Sequence, residues 1–375
     1  MRRIMLFLML VFLAYVSKPI WEEPVQQLVP SSIWESIHST VDLVMENEEI
    51  QLTLEHLQKQ LYSLFIQPNQ SQLELNDRNI EKPPLPLVIP EERLFSIHNI
   101  QLGDTRSEVE EKTGASPKRT TINEYGVTWN AYHEDYHNFI MVAYDERDIV
   151  LGLYTNQDLI ASKTEIQLGS PMELVQEHLG TPESYLRKGF TNYQIDSSEY
   201  DMFHLDNSYV TFFYDQHEYH NVTAVKVIDE KLEQGKKKYY TEPSQDLQEG
   251  LEYQLFDLTN ASRVNHQLPI LTWDENVRET SRKHSLDMAE NYFFSHNNLD
   301  GKTPFERMEE DNIPFNMAGE NLAYGQTSSV FAHEGLMNSI GHRENILQKD
   351  FRYLGVGVAF NNESHPYYTK KFFNN

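Results

Sequence analysis

The 375-residue chain contains no cysteine. That excludes a disulfide scaffold, a thiolate nucleophile and every metal site built on thiolates. Basic residues are scarce: 31 lysines and arginines stand against 57 aspartates and glutamates, giving a formal net charge of −26. A field of that sign repels phosphate backbones and anionic headgroups, so nucleic acid is not an expected partner. No serine or threonine nucleophile is recognisable. The His-Glu-x-x-His signature of zinc proteases is missing too, because Met337 stands where the second histidine would follow His333-Glu334. What is present suffices for folding: 39% hydrophobic and 12% aromatic residues, over a length that accommodates two or three domains.

Arg2 and Arg3 precede an unbroken apolar run over residues 4–16, which reads as the charged and apolar regions of a secretory signal. The run is shorter than the ~20 residues of a spanning helix. A small-x-small cleavage site is lacking, Ala14-Tyr15-Val16 being a poor version. Residues 1–21 are therefore expected to export the chain, either as a cleaved signal peptide or as a retained membrane anchor. Residues 22–93 read as a stalk. Leu54, Leu57, Leu61 and Leu64 fall at helical spacing, and Pro83, Pro84, Pro86 and Pro90 stiffen the end of the stalk into a polyproline-like spacer.

An internal repeat marks residues 94–229. Ile100-Gln101-Leu102-Gly103-Asp104 returns as Ile166-Gln167-Leu168-Gly169-Ser170. A short helix is expected after each, capped by Asp104 or Thr105 in the first copy. In the second, Ser170 is the expected cap, with Pro171 in the first turn and Glu173 completing a capping box. Apolar strands ending at Asp145 and Asp215 come next, then a second strand in each copy. The pattern predicts two copies of a helix-plus-sheet unit in one α+β domain. No titratable cluster repeats with it, and surface placement is expected for His133, His137, His217 and His220. Polar residues 230–250, with the triplet Lys236-Lys237-Lys238, read as a linker.

Residues 251–375 carry the candidate site. A helix is expected over 253–266, with Leu255, Leu258 and Val264 inward. Thr272 and Glu275 are expected to cap a second helix, which places Val277, Ser281, His284 and Met288 on one face. Histidine on such a face reads as a core residue. Thr303, Pro304 and Glu306 give a further cap, first-turn proline and capping box. Ala318-Gly319-Glu320-Asn321-Leu322-Ala323 is odd for a loop, because a carboxylate among small apolar residues is costly to bury unless paired or metal-bound. A helix over 329–339, a strand over 353–360 with Gly355 and Gly357 packed closely beneath a helix, and a final strand over 367–373 complete the reading.

His296, Gly319-Glu320-Asn321-Leu322-Ala323, Ser339-x-Gly341-His342-Arg343-x-Asn345-Ile346-Leu347 and Gly355-Val356-Gly357 resemble a bacterial CAP domain, the family of cysteine-rich secretory proteins, antigen 5 and pathogenesis-related 1. The repeat region resembles the CAP-associated N-terminal domain. The resemblance implies a C-terminal three-layer α-β-α sandwich whose cleft is lined by His296, Glu320 and His342, with Asn321 joining the ligand-contacting set. A second cleft glutamate of many relatives has no clear counterpart here; Ser339 stands at the aligned position, and Glu334 is out of register.

Two imidazoles and a carboxylate can hold Zn²⁺ with an open position, or form a hydrogen-bonded, pH-sensitive cluster without metal. No cofactor is a requirement of the expected function, and zinc is the candidate divalent cation. The expected function is that of an exported, envelope-associated, non-catalytic binding module for a cell-surface or cell-wall component, a lipid or a protein. Membrane contact is expected through the N-terminal segment alone. The alternatives are a metal-dependent or general-base hydrolase of peptide, lipid or cell-wall material, and a purely structural interaction domain.

Overall fold

A computed structural model describes residues 85–375, apart from residue 196. The apolar N-terminal run, the leucine-spaced segment and most of the proline spacer lie outside the described residues. Among those described, no helix is long and apolar enough to cross a membrane.

The first half opens with β1 (Phe95–Ile97) and α1 (Arg106–Thr113), followed by β2 (Arg119–Ile122), β3 (Thr128–Glu134), β4 (His137–Tyr144), β5 (Val150–Thr155) and β6 (Ile160–Ser162). Then come α2 (Met172–Leu179), the hairpin β7 (Tyr185–Lys188) and β8 (Thr191–Gln194), and β9 (Tyr200–Leu205), β10 (Ser208–Tyr214) and β11 (Val222–Asp229). Seven strands form one antiparallel sheet in the order β2-β3-β4-β5-β11-β10-β9.

Both Ile-Gln-Leu-Gly segments make the same turn. The Gln101 amide donates to Asp104 Oδ2 and the Gln167 amide to Ser170 Oγ, each at 3.0 Å. Gly103 and Gly169 supply the positive φ those turns need. Thr105 and Glu108 cap α1 reciprocally. Ser170 does not cap α2 as expected: its hydroxyl is committed to Gln167, and Pro171 takes the cap position without a side-chain bond.

Strand periodicity divides this sheet's two faces. Ile140, Val142, Phe212 and Val225 pack with α1 and α2 through Val109 and Val175. Phe139, Met141, Tyr154 and Phe213 share a core with Leu251, Leu255, Leu258 and Leu336 of the second half. The two halves are thus cemented across a common apolar layer, within one compact unit (Pro83–Asn375).

The second half comprises α3 (Glu230–Gly235), α4 (Gln245–Asn265), β12 (Thr272–Trp273), α5 (Glu275–Asn291), α6 (Pro304–Glu310), β13 (Met317–Tyr324), α7 (Ser329–Met337), α8 (Ile340–Ile346), β14 (Tyr353–Phe360) and β15 (Pro366–Asn374). Its sheet runs β12-β14-β15-β13, with β12 parallel to β14 and the other pairs antiparallel. Gly355 and Gly357 face α5, where an added Cβ would meet the helix backbone. Leu354, Val356 and Val358 face the opposite way, into the core shared with α4 and α7. The fold is α+β, with a CAP-like α-β-α sandwich at the C-terminal end.

Several sequence expectations shift. Residues 230–250 are not a bare linker: Asp229 caps α3, and Ser244 accepts from the Leu247 amide to start α4 at Gln245 rather than Tyr253. Gly250 packs against β2, where a Cβ would fall 2.0 Å from the Ile122 carbonyl oxygen. Asp274, not Thr272, caps α5, because Thr272 is already in β12. Ala318 to Ala323 form the body of strand β13, not a loop.

Polar ties reinforce the layer between the halves. Asp257 accepts from Arg119 Nε at 3.0 Å and from the Tyr136 hydroxyl at 2.8 Å. The buried Tyr154 hydroxyl donates to Glu334 Oε1 at 2.6 Å. Tyr154→Phe is expected to cost about 1–3 kcal/mol, since the buried carboxyl loses its donor. Chemical denaturation of the whole unit measures this, and an unchanged midpoint would refute the tie.

Candidate functional site

β13 is the edge strand of its sheet, and alternation sends its side chains to two sides. Glu320 points toward α6 and Asn321 toward α8. Glu320 is buried, and both of its oxygens are engaged. Oε1 pairs with His296 Nδ1 at 3.0 Å; Oε2 accepts from Arg307 Nη2 at 2.8 Å and from Lys371 Nζ.

Each partner is positioned by a local sequence signal. Thr303, Pro304 and Glu306 start α6 with the expected capping box, which sets Arg307 one turn along. Arg307 Nη1 donates to the backbone oxygens of His296 and Lys302, at 2.7 and 2.9 Å, and so staples the loop that bears His296. Thr303→Ala is expected to cost about 1 kcal/mol, read as a lowered unfolding midpoint; a neutral result would mean the box does not hold α6. Lys371 arrives from β15, opposite Glu320 in the strand register. His284 is buried on α5 as a core histidine. Its Nε2 lies 3.0 Å from the Ser295 carbonyl oxygen, and burial pushes its pKa down to about 4, so it stays neutral.

Electrostatics decide the carboxylate's role. Burial raises the Glu320 pKa, but His296, Lys371 and Arg307 outweigh it and hold the group at about 2. Burial pushes Lys371 down to about 8 against the pull of Glu320. Glu320 is therefore a fixed anion near neutrality, with both oxygens taken up by its partners.

His342 stands on α8. Its Nδ1 lies 2.8 Å from Ser339 Oγ, so the residue aligned with the missing cleft glutamate does contact the second histidine. Burial, then His296 and Lys370, disfavour the His342 cation. Asn321 is fully buried; its amide donates to the His342 carbonyl oxygen at 2.8 Å, and its oxygen accepts from Asn345 at 2.9 Å. It was expected to face a ligand, but its side chain is used as scaffold beneath His342.

Of the expected set, His296 and Glu320 are joined directly, while His342 keeps its own bond to Ser339. Among the described residues, no group of three His, Asp or Glu side chains stands in position to hold a metal ion. The zinc set expected from His296, Glu320 and His342 is not assembled, because Arg307 and Lys371 already neutralise the carboxylate. In this arrangement Glu320 has both oxygens engaged by His296, Arg307 and Lys371. Glu334 also lies elsewhere, bonded to Tyr154.

Sequence reasoning missed Arg307 and Lys371. A usable signal existed for the second: Lys370 and Lys371 sit inside Tyr367-Tyr368-Thr369-Lys370-Lys371-Phe372-Phe373, where two adjacent lysines in a buried strand demand partners. Lys370 is wholly buried with no hydrogen-bond partner among the described residues, and burial pushes it down to about 7.

Comparison with known proteins matches two families along the chain. The profile of the CAP-associated N-terminal family matches residues 102–239, and that of the cysteine-rich secretory protein family matches residues 256–371. An uncharacterized membrane protein of Bacillus subtilis strain 168, YlbC, is 28% identical over 290 residues, 72% of this chain and 82% of its own. A second uncharacterized B. subtilis protein, YkwD, is 36% identical over 121 residues, 32% of this chain and 46% of its own. The crystal structure of an extracellular SCP-domain protein from Bacillus anthracis matches with a TM-score of 0.64 at 25% identity, covering 78% of this chain and 99% of that one. A cysteine-rich secretory protein from Staphylococcus aureus shares the fold, with a TM-score of 0.59 at 13% identity over 73% of this chain and 91% of its own. The chain is a bacterial CAP-domain protein, carrying a domain of the cysteine-rich secretory protein family behind a CAP-associated N-terminal domain.

Proposed function

We propose that this is an exported, envelope-associated binding module, which holds a cell-surface or cell-wall component, a lipid or a protein beside His296 and His342 without turning it over. One observation carries the reading. Glu320, among the described residues the one carboxylate bonded to either histidine, is held at about 2 by its partners, and both its oxygens are already engaged. A general base needs a pKa near the working pH and a free acceptor. His296, by contrast, keeps 51% of its side chain exposed, available to a bound molecule. Export is supported by the paired arginines and apolar run at residues 2–16 and by the B. anthracis relative, which is described as extracellular.

A purely structural role is the second reading, favoured by the closure of the Glu320 cluster on the protein's own cations. The discriminating measurement is retention of the purified chain on isolated Bacillus cell envelopes, with His296→Ala and His342→Ala alongside. At least fivefold lower retention by both variants at unchanged melting temperature is the expected result. Equal retention would favour the structural role. Release of soluble fragments by the parent chain but not by His296→Ala would favour a hydrolase.

A further inference from the structure

The two halves enclose a cavity of about 520 Å³, distinct from the His296 cleft. Its walls come from β10, β11, α3 and the segment to Tyr240 on one side, and from the β13–α7 turn and α7 on the other. The volume lies in the range of about 300–1,000 Å³ typical of small-molecule sites.

Part of the polar lining balances itself. Lys188 and Glu233 form an ion pair, and the Tyr125 hydroxyl donates to the second Glu233 oxygen. The remainder is not fully hydrogen-bonded. Glu124 is 3% exposed, yet neither of its carboxylate oxygens receives a hydrogen bond. Glu124 Oε1 and Lys226 Nζ form a buried ion pair at 3.7 Å, too long for a hydrogen bond. Lys226 Nζ lies 4.5 Å from the Phe331 ring centre and Lys236 Nζ 5.8 Å from that of Tyr125; among the described residues neither donates a hydrogen bond. Gln326 Oε1 is buried at the same cavity without a donor.

Buried polar groups are almost always hydrogen-bonded, so a buried carboxylate that receives no hydrogen bond, beside a partly buried lysine that donates none, has capacity for a complementary molecule. An anion alone would compete with Glu124 for Lys226 and leave the carboxylate still without a hydrogen-bond donor. A cation alone would be repelled by the two lysines. Tyrosine and phenylalanine rings around these groups suit a cationic head or the face of a sugar ring.

We infer that the interdomain cavity binds a small zwitterion, with its ammonium on Glu124, its carboxylate on Lys226 and Lys236, and its body against the aromatic walls. The inference is independent of the reading given for the His296 cleft. Burial pushes Lys236 down to about 8, and an incoming carboxylate would hold its charge more firmly. Two kinds of molecule carry this chemistry: a free amino acid or short peptide, and an amino-sugar acid. Because both halves line the cavity, ligand also ties them together and raises the melting temperature.

The test is titration calorimetry with thermal melting on the full chain, using dialanine and muramic acid as the two zwitterions. N-acetyl-dialanine lacks the ammonium, and glucosamine lacks the carboxylate. One-to-one binding of dialanine or muramic acid is expected, the stronger of the two identifying the source, with both controls at least tenfold weaker. Glu124→Gln and Lys226→Met should each weaken binding at least tenfold. A further variant covers the case in which these fail to fold. Gly335 lines the cavity, and a Cβ there meets only Glu199 Oε2 at 3.8 Å, so Gly335→Phe fills the space from a helix that tolerates it. It should abolish binding while keeping a cooperative melt, and His296→Ala should leave binding intact. Equal affinity for the N-acetylated control, undiminished binding in Gly335→Phe, or no heat with either zwitterion would overturn the inference.

Discussion

Replacing Glu320 by glutamine is expected to remove about 3–5 kcal/mol of folding stability, the usual cost of leaving a buried charge without its partner. Arg307 and Lys371 are 8% and 0% exposed in their side chains, and Glu320 is their common counter-charge. Lysine can shed its proton when stranded; arginine cannot. The lowered carboxylate sets the sign of the pH dependence. Its folded pKa, about 2 against an ordinary 4.5, contributes stability that is present above about 4.5 and is lost as pH falls from there toward 2. Urea unfolding at pH 7 should separate parent and variant widely, and the gap should narrow steadily below pH 4.5. A gap under 1 kcal/mol at pH 7, or one independent of pH, would refute the account. His296→Ala should cost under about 1 kcal/mol, because that histidine is half exposed and its pair is screened.

The elements legible in the sequence were those whose signals are local. The spacing of Val277, Ser281, His284 and Met288 announces the buried face of α5, and all four are buried. Thr303, Pro304 and Glu306 announce α6, and the two glycines of β14 announce a close helix above it. The start of α4 was hidden for the opposite reason. Gln245 to Gly250 are mostly polar and end in glycine, so they read as linker. What makes them helical is Ser244 as cap and Gly250 against Ile122, a contact with a strand far upstream. No window of sequence contains that strand.

The candidate site divides in the same way. Glu320 among small apolar neighbours declares that a partner must exist, and that much needs no structure. Which partner is a different matter. Arg307 lies 13 residues before it and Lys371 51 after it, brought together by an α6–β13 contact and a strand register. With acidic and imidazole groups alone in view, a metal ion is the natural way to neutralise the carboxylate. The chain instead supplies two cations of its own, and Asn321, the next residue, becomes a strut under His342.

Gly357→Ala is expected to cost about 3 kcal/mol, at the upper end of overpacking penalties. A Cβ there would fall 2.1 Å from the Arg282 amide nitrogen and 2.3 Å from the Ser281 carbonyl carbon, against helix backbone that no rotamer change can move aside. α5 would have to lift away from β14. That lift would break the Ser285 hydroxyl's bond to the Gly357 carbonyl oxygen, now 2.9 Å, and strain the pairing of Arg278 and Arg282 with the buried Glu252. It would also shift His284, whose ring holds the Ser295 carbonyl beside His296, so the disturbance reaches the cleft through packing alone. The expected fall in melting temperature is about 5–10 °C. Gly341→Ala is the matched control: nothing lies within 4 Å of a Cβ there, and on the exposed first turn of α8 alanine should be neutral or mildly stabilising. If the two variants melt together, β14 does not hold α5 at the distance that its glycines imply.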